Sequence, residues 1–295
     1  MDYRSYLFVP ADSPRKIERA DAGDADALIL DLEDSVARDR KADARTIAAR
    51  HLAEVSGARK HAYFVRVNSL ASGLVADDVA ATISGRPEGY MLPKCEGGED
   101  IEALSRLIER YGGDGEIGII AIATETVRAV RSLMRSDWKH PRLRALAWGG
   151  EDLAADMGAL RNRAADGCYL GPFLMARDLT LLAALEAGVD ALDAVYTDFR
   201  DTEGLSTESR LASELGFSGK MAIHPLQIGP IHAAFVPDPS QIGWARDVLA
   251  TLAEAESGVA SLHGQMLDAP HESRARRILA RARFHADDGP HDRDK

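Results

Sequence analysis

Acidic side chains follow several short apolar runs of this sequence, and two of them stand directly after consecutive runs. Glu125 lies in Thr-Glu-Thr after the run IGIIAIA, and Asp152 lies in Gly-Gly-Glu-Asp after the run LRALAW. Magnesium prefers oxygen ligands, retains several waters and is commonly held by one or two carboxylates. The pattern therefore predicts that Glu125 and Asp152 bind Mg²⁺ directly.

A second acidic group consists of Asp31, near the end of the run ALILDL, and of Glu33 and Asp34, which follow that run directly. We expect these three carboxylates to hydrogen-bond waters on the cation and so to form its outer shell. The alternative is that each acid only caps the helix after its run, where a carboxylate contributes roughly 0.3–1 kcal/mol. Several buried carboxylates would need cations or solvent, which favours a binding site over packing alone.

Two basic residues lie at the ends of other apolar runs. Arg66 lies in AYFVRV, and Lys94 follows GYML and a proline. The planar guanidinium of Arg66 could bind a carboxylate or an enolate oxygen, or it could form a structural ion pair with one of the acids. We assign Lys94 to substrate binding. A Schiff base would need a lowered lysine pKa, whereas the surrounding acids should raise it.

Eight short apolar runs are spaced along the chain with helical segments between them. The runs cover residues 6–9, 27–32, 62–67, 89–92, 117–123, 143–148, 191–196 and 220–223. Several are apolar at nearly every position, which is typical of parallel strands buried on both faces. The alternation predicts an α/β fold, a closed (β/α)8 TIM barrel with a C-terminal helical extension.

An open doubly wound sheet is the rival architecture, but no G-x-G-x-x-G motif follows the first run to support it. In a barrel, the carboxyl ends of all eight strands meet at one rim, where the active site lies. The acids and bases described above would then face one another across that rim. The next helix would begin at Gly150 and Glu151, whose N–H groups could receive a substrate carboxylate.

The composition of the chain changes after the eighth run. We predict a barrel domain over residues 1–234, a helical extension or lid over 235–285 and a disordered tail over 286–295. Two prolines at 235–239 indicate a linker, and helices are expected at 241–256 and 273–283 with a loop at 258–267 between them. This extension looks too short for a core of its own, so it should pack on the barrel or on a neighbouring subunit.

The charge and composition exclude several classes of partner. The net charge is −11, which argues against nucleic acid and anionic membrane surfaces. No apolar run approaches the ~18 residues of a membrane span, and no signal peptide is recognisable. The two cysteines and nine histidines show neither a disulfide framework nor zinc-ligand spacing. A cytoplasmic setting is the simplest interpretation.

Eight sequence motifs, in order along residues 4 to about 270, are similar to those of a known family. They are RSYLFVPA from Arg4, ILDLEDSV from Ile29, VRVN from Val65, MLPK from Met91, TET from Thr124, WGGEDL from Trp148, IHPLQI from Ile223 and GQMLDAP from Gly264. Together they resemble the citrate lyase β-subunit-like and malyl-CoA/citramalyl-CoA lyase branch of the HpcH/HpaI aldolase superfamily. One motif alone would be weak, but eight in order cover nearly the whole chain.

The resemblance implies a (β/α)8 barrel with Mg²⁺ at Glu125 and Asp152 and a substrate-binding role for Arg66. It also implies that Asp268, in the extension, acts as acid or base in a neighbouring subunit of a trimer or hexamer. Coenzyme A would lie near the first and last barrel elements. Arg15, Lys16, His224 and Pro225 are its candidate contacts.

The function expected from these residues is magnesium-dependent cleavage or formation of a carbon–carbon bond in a 2-hydroxyacyl-CoA thioester such as citramalyl-CoA or malyl-CoA. The products would be a 2-oxo acid and an acyl-CoA. Three alternatives stay open from the sequence: a citryl-ACP or citryl-CoA lyase subunit of a complex, a CoA-independent class II pyruvate aldolase, and a barrel that binds acyl-CoA without catalysis. The acyl group itself cannot be read, because a methyl or carboxymethyl difference is worth only a few kcal/mol in pocket contacts.

Overall fold

Eight parallel strands close into a barrel in the computed structural model, which describes residues 3–57, 59–255 and 258–286 of the chain. The strands are β1 (Ser5–Pro10), β2 (Ala27–Asp31), β3 (Ala62–Arg66), β4 (Gly89–Leu92), β5 (Gly118–Ile122), β6 (Leu143–Ala147), β7 (Asp190–Asp193) and β8 (Gly219–Ala222). Each strand pairs with the next, and β1 pairs with β8 to close the ring. The predicted (β/α)8 barrel is confirmed, and the open sheet is excluded.

The helices follow the strands in turn. They are α1 (Pro14–Asp21), α2 (Lys41–Glu54), α3 (Val75–Thr82), α4 (Gly98–Arg110), α5 (Val127–Ser132), α6 (Glu151–Met157), α7 (Gly171–Ala187), α8 (Thr202–Leu215), α9 (Ile228–Phe235), α10 (Pro239–Ala253) and α11 (Ala269–Ala286). None of the helices in the described part of the chain is long and apolar enough to cross a membrane.

The inside of the barrel is filled by alternate residues of the strands. Tyr6 of β1, Ile29 of β2 and Phe64 of β3 belong to one buried cluster. Because side chains along a strand alternate between two faces, the residues two positions further on, Phe8, Asp31 and Arg66, share that inner face at the carboxyl end. The filling is therefore apolar in the middle of the barrel and becomes polar at the mouth.

The chain divides into two compact units, residues 3–232 with the barrel and residues 233 onward. The second unit contains α10, α11 and a two-stranded antiparallel sheet, β9 (Ala260–Leu262) with β10 (Gln265–Leu267). Val248, Leu267 and Ala275 are fully or almost fully buried there, with Trp244 and Ile278 packed around them. The expectation that this segment has no core of its own is wrong, because the two helices and the sheet bury a small one.

The region between the last two helices also differs from the prediction. A loop was expected at 258–267, but six of its residues form the β9–β10 hairpin. His263 and Gly264 make its turn with φ values of 50° and 81°, as a tight two-residue hairpin turn requires. The tail predicted over 286–295 lies outside the described residues apart from Ala286.

Candidate active site

Arg66, the last residue of β3, connects two of the predicted acids at the mouth of the barrel. Its Nε and Nη2 donate to the two carboxylate oxygens of Asp31 at 2.7 and 2.6 Å. Its Nη1 lies 3.0 Å from Oε2 of Glu33. Register explains the first contact, because Asp31 and Arg66 are direct partners in the β2–β3 pairing.

These contacts leave part of the guanidinium available. An arginine has five N–H groups. Asp31 accepts one from Nε and one from Nη2, whereas Nη1 faces Glu33 as an ion pair without a well-directed hydrogen bond. Burial alone would raise the pKa of Asp31, but the adjacent Arg66 charge holds it below the usual range. Asp31 is 1% exposed, so it serves as the fixed counter-charge of Arg66. The ion-pair alternative for Arg66 is therefore correct, and it is compatible with a role in binding.

Lys94 joins the acids of three loops. Its Nζ lies 2.6 Å from Oε1 of Glu33, 3.4 Å from Asp34 and 3.5 Å from Oδ1 of Asp152. Its backbone N–H donates to Oε2 of Glu125 at 2.6 Å. Burial alone would lower the pKa of Lys94, but the hydrogen bond and charge of Glu33 raise it above its usual range. The lysine is therefore held charged, which removes the condition for imine chemistry.

Glu125 is the most deeply buried acid of this cluster that lacks a strong partner. It is 4% exposed, and its hydrogen bond from the described residues comes from the Lys94 backbone. Burial, followed by the charges of Glu33 and Asp152, raises its pKa to about 8. Burial also raises the pKa of Glu33. Its Oε2 lies near Arg66 but accepts no well-directed hydrogen bond.

A divalent cation fits this arrangement. Burial raises the pKa values of Glu125 and Glu33, and the charges of Glu33 and Asp152 raise that of Glu125 further, so a cation would stabilise their ionised forms. Across the part of the chain that the structure describes, no three His, Cys, Asp or Glu side chains form a ready-made metal cage. A pair of carboxylates that leaves room for waters suits Mg²⁺ and does not suit zinc, which takes a closed set of nitrogen or sulfur ligands.

The backbone of the β6–α6 loop is shaped to accommodate Glu125. A Cβ on Gly149 would lie 3.0 Å from Cγ of Glu125 and 3.5 Å from Ile122, so a side chain here would push the glutamate aside. The Gly149 N–H also donates to Thr124 Oγ1 at 2.8 Å. These contacts fix the loop that carries Asp152 against the loop that carries Glu125. The two predicted ligands are thus held by touching segments.

Two residues that sequence reasoning missed support the cluster. The Phe8 ring lies 4.7 Å from the guanidinium carbon of Arg66. Nζ of Lys41 donates to the backbone carbonyls of Leu32 and Glu33 at 2.6 and 2.7 Å. Phe8 could have been found from its strand position, since it lies two residues after the inward-facing Tyr6 and so shares its face. Nothing in the sequence marks Lys41, because it reaches back from the first turn of α2.

The candidate coenzyme A residues follow two adjacent strands, β1 and β8. Arg15 and Lys16 are exposed in the first turn of α1, and His224 with Pro225 follows β8. Because β1 pairs with β8, both loops leave the same side of the barrel. His224 already contacts neighbouring residues. Its ring stacks on Phe199 with 4.5 Å between the ring centres, and its Nδ1 accepts a hydrogen bond of 3.2 Å from the Leu226 N–H.

Gly150 and Glu151 have a different environment from the acidic cluster. Gly150 is buried against Trp148 and Tyr169. The Glu151 side chain is exposed and accepts a hydrogen bond from Asn162 at 2.6 Å. Within the described residues, no contact joins Glu151 to the Lys94 cluster, and α6 is only seven residues long. Their assignment to substrate binding stays a prediction.

Asp268 lies in the second unit, directly before α11. Its Oδ1 is 2.6 Å from Nδ1 of His271, and the two side chains are about one third exposed. The carboxylate is therefore accessible as well as oriented. Its proposed action in a neighbouring subunit stays a prediction.

Comparison with known proteins places this chain among enzymes. Residues 4–225 match the family described as HpcH/HpaI aldolase/citrate lyase. The rat protein named citramalyl-CoA lyase, mitochondrial, is 32% identical over 95% of this chain and 86% of its own length. The citrate lyase subunit beta-like protein of Mycobacterium tuberculosis H37Rv is 36% identical over 94% of both chains.

A solved structure is similar throughout. The crystal structure of protein CitE from Mycobacterium tuberculosis, in complex with magnesium, acetoacetate and coenzyme A, superposes with a TM-score of 0.79 at 33% identity. The match covers 95% of this chain and 98% of that one. Family model, relatives and structure agree, and the chain belongs to the HpcH/HpaI aldolase/citrate lyase family of oxo-acid lyases.

Proposed function

We propose that this protein is a Mg²⁺-dependent carbon–carbon lyase acting on a CoA thioester of a 2-hydroxy acid, such as citramalyl-CoA or malyl-CoA, in which the hydroxyl group is next to the free carboxylate. It would release a 2-oxo acid and an acyl-CoA, or run in the reverse direction. The observation that carries the proposal is the convergence of Glu125, Asp152 and Arg66 around Lys94 and Glu33 at the mouth of the barrel. The names of the rat relative and the ligands of the mycobacterial structure support magnesium and coenzyme A.

Glu125 and Asp152 would hold the cation, with Asp31, Glu33 and Asp34 around it. When bound, Mg²⁺ supplies Lewis-acid polarisation of a substrate oxygen and a template for orienting the substrate. The buried, poorly compensated charge of Glu125 is the feature that favours cation binding. Lys94, held charged by Glu33, would offer an ammonium group to a substrate carboxylate.

Cleavage needs stabilisation of negative charge on the departing fragment. In that direction a base accepts the proton of the 2-hydroxyl group, whose oxygen becomes the carbonyl oxygen of the 2-oxo acid. The electron pair of the broken carbon–carbon bond then stays on the thioester fragment as an enolate. The N–H groups on Nη1 and Nη2 of Arg66 that Asp31 does not take would stabilise this charge, because Arg66 is already fixed in position before the reaction.

The last step is proton transfer to the enolate carbon, for which Asp268 is our candidate. Its carboxyl would donate the proton in cleavage and accept it in synthesis. We propose that Asp268 comes from a neighbouring subunit of a trimer or hexamer. Arg15, Lys16, His224 and Pro225 would contact coenzyme A on the β1 and β8 side of the barrel, and Gly150 with Glu151 would lie near the substrate carboxylate.

The proposal is tested with a panel of thioesters and Mg²⁺, with detection of the released 2-oxo acid. Citramalyl-CoA would release pyruvate, malyl-CoA and methylmalyl-CoA would release glyoxylate, and citryl-CoA would release oxaloacetate. We expect turnover of one or more thioesters that stops when Mg²⁺ is chelated. Turnover of pyruvate and an aldehyde without coenzyme A, or no turnover of any substrate, would contradict the proposal.

The matched variants for this assay are Asp152→Asn and Asp178→Asn. Asp152→Asn should abolish the magnesium-dependent rate, because it removes one proposed ligand charge. Asp178 lies on α7 and pairs with Arg177 next to it, so its variant controls for loss of a carboxylate elsewhere in the barrel. Equal rates in the two variants would remove the metal from the mechanism.

A further inference from the structure

A buried charge network behind the barrel wall has no part in the proposed chemistry. At its centre is Lys220 of β8, which is 0% exposed. Met221 belongs to the cluster inside the barrel, so Lys220 points outward, toward the helices. Its Nζ contacts Asp193 Oδ2 at 2.5 Å and Glu208 Oε1 at 2.9 Å. Burial alone would lower the pKa of Lys220, but these two carboxylates raise it.

One end of the network reaches the loop that carries Asp152. The second oxygen of Asp193 accepts a hydrogen bond of 2.7 Å from the indole N–H of Trp148. Trp148 is fully buried and immediately precedes Gly149 and Gly150. The indole therefore fixes the backbone where β6 ends and the Asp152 loop begins.

The other end approaches the same loop from outside. Arg163 Nη1 donates to Glu208 Oε2 at 2.6 Å, and its guanidinium carbon lies 3.6 Å from the centre of the Tyr169 ring. Tyr169 packs edge-on against Trp148 at 4.9 Å. The chain of contacts from Trp148 through Glu208 and Arg163 thus returns to Trp148.

The fit around the first turn of α6 is close. A Cβ on Gly150 would lie 3.3 Å from both Trp148 and Tyr169, so these two rings pack directly against the backbone of Gly150. Asn162, next to Arg163, donates to the Glu151 side chain at 2.6 Å. Residues 162–169 therefore hold the start of α6 on one side while Asp193 holds Trp148 on the other.

Two buried and two partly buried charges are a poor means of stabilising a fold, because buried ion pairs can often be replaced by apolar residues without loss of stability. They do, however, define one arrangement of the segments that they join. The segment that leads from the end of β6 into the first turn of α6 is called the Trp148–Asp152 corner. We propose that four positioning residues set its geometry through Trp148 and Tyr169: Arg163, Glu208, Lys220 and Asp193. The proposal rests on the proposed function, in which Asp152 binds the metal.

The test compares Arg163→Met with the matched control Arg4→Met in the full-length protein. Arg163 and Glu208 are 19% and 15% exposed, and Arg4 with its partner Asp26 is 13% and 15% exposed at the opposite end of the barrel. Two quantities are measured: the Mn²⁺ dissociation constant by EPR, and deuterium exchange of residues 148–157 in the metal-free protein. Mn²⁺ stands in for Mg²⁺.

Arg163→Met should speed exchange across residues 148–157 and weaken Mn²⁺ binding about tenfold, as loss of outer-shell support commonly does. Arg163→Lys should fall in between, because it keeps the charge beside Glu208 but loses the planar contact with Tyr169. Arg4→Met should lower the melting temperature and leave both readouts as in the wild type. Wild-type exchange and Mn²⁺ affinity in Arg163→Met would overturn the proposal.

Two further variants keep the outcomes separable. If Arg163→Met does not fold, Trp148→Phe removes the indole N–H to Asp193 together with the pyrrole part of the ring and should give the same two changes; unchanged readouts would overturn the proposal. Asp152→Ala tests the proposed function independently. If it binds Mn²⁺ like the wild type, the metal assignment fails, whereas the exchange measurement still decides whether the network positions the corner.

Discussion

At the scale of single residues, the site is defined by how charge is compensated. Arg66 is fully engaged along one edge by Asp31 and on Nη1 by Glu33, while Phe8 covers its face. The sequence could predict Arg66 and the acids at the rim, since they follow apolar runs. It could not predict which acid pairs with which base, because that depends on the register between β2 and β3 and on how far loop residues reach.

Replacement of Arg66 with lysine tests its proposed role. The ammonium group keeps the charge but cannot span both oxygens of Asp31 and also present fixed N–H groups to an enolate. We expect turnover to fall about 100-fold, which is the usual cost of losing one preorganised donor. Metal binding should be nearly unchanged. The measurement is kcat for the best thioester, with the Mn²⁺ affinity determined in parallel.

Arg45→Lys is the matched control for this variant. Arg45 and Asp78 form an ion pair whose side chains are 14% and 0% exposed, close to the 12% and 1% of Arg66 and Asp31. The control should lose stability and keep its turnover. If the two variants lose turnover equally, Arg66 acts only as part of the fold.

Glu125 makes the stability of the metal-free protein depend on pH. Its pKa rises from 4.5 in the unfolded chain to about 8 in the folded protein, so between these values the folded state binds more protons. Stability must then fall as pH rises through this window. We expect the melting temperature of the metal-free protein to fall across it, and Mg²⁺ to restore more stability at its upper end.

The comparison with Glu125→Gln isolates this effect, because the amide does not titrate. The difference in melting temperature between wild type and variant should change in favour of the variant as pH rises. A difference that is constant from pH 4.5 to about 8 would show that Glu125 has an ordinary pKa.

At the scale of elements, the positions of the barrel strands were predictable and their connections were less so. All eight apolar runs are strands, because a strand buried on both faces has an unmistakable apolar signature. The β9–β10 hairpin was missed because its strands have three residues each and its turn is His-Gly rather than a stronger turn signal. The network around Lys220 was also missed, since a lysine inside a strand gives no sign of its buried partners.

The β6–α6 loop gives a prediction at this scale. Gly149→Ala would place a methyl group 3.0 Å from Glu125 Cγ, so Glu125 or the loop must shift. Because the two predicted ligands are held by these touching segments, we expect Mg²⁺ affinity to fall by about tenfold or more. Isothermal titration of Mg²⁺ measures this change.

Gly171→Ala is the control for the glycine substitution. A Cβ on Gly171 meets no atom within 4 Å, and alanine is a better helix former than glycine in the first turn of α7. Its Mg²⁺ affinity should equal that of the wild type. Equal affinities in all three proteins would mean that Gly149 does not shape the site.

At the scale of the whole molecule, the proposed metal ligands and the proposed acid or base lie in different compact units. The barrel unit contains the metal pair and Arg66, and the second unit contains Asp268. The sequence predicts both parts, Asp268 through its motif alone. The subunit that supplies Asp268 depends on assembly, which one chain does not define.

Mixing two inactive variants tests whether Asp268 acts in a neighbouring subunit. Asp152→Asn and Asp268→Ala each disable every site in their own homo-oligomer. When they are unfolded and refolded together in equal amounts, about a quarter of the sites should combine an intact metal pair with an intact neighbouring Asp268. We expect about a quarter of the wild-type rate after mixing. No recovery, while wild-type protein refolds fully in the same procedure, would place Asp268 in its own subunit's site or outside the chemistry.

The most direct test of the account is anomalous X-ray diffraction from crystals grown with Mn²⁺ in place of Mg²⁺. We expect one strong anomalous peak per chain at the mouth of the barrel, within about 2.0–2.3 Å of carboxylate oxygens from both Glu125 and Asp152. A peak that contacts neither residue, or no peak in this cluster at a Mn²⁺ concentration that supports turnover, would contradict it.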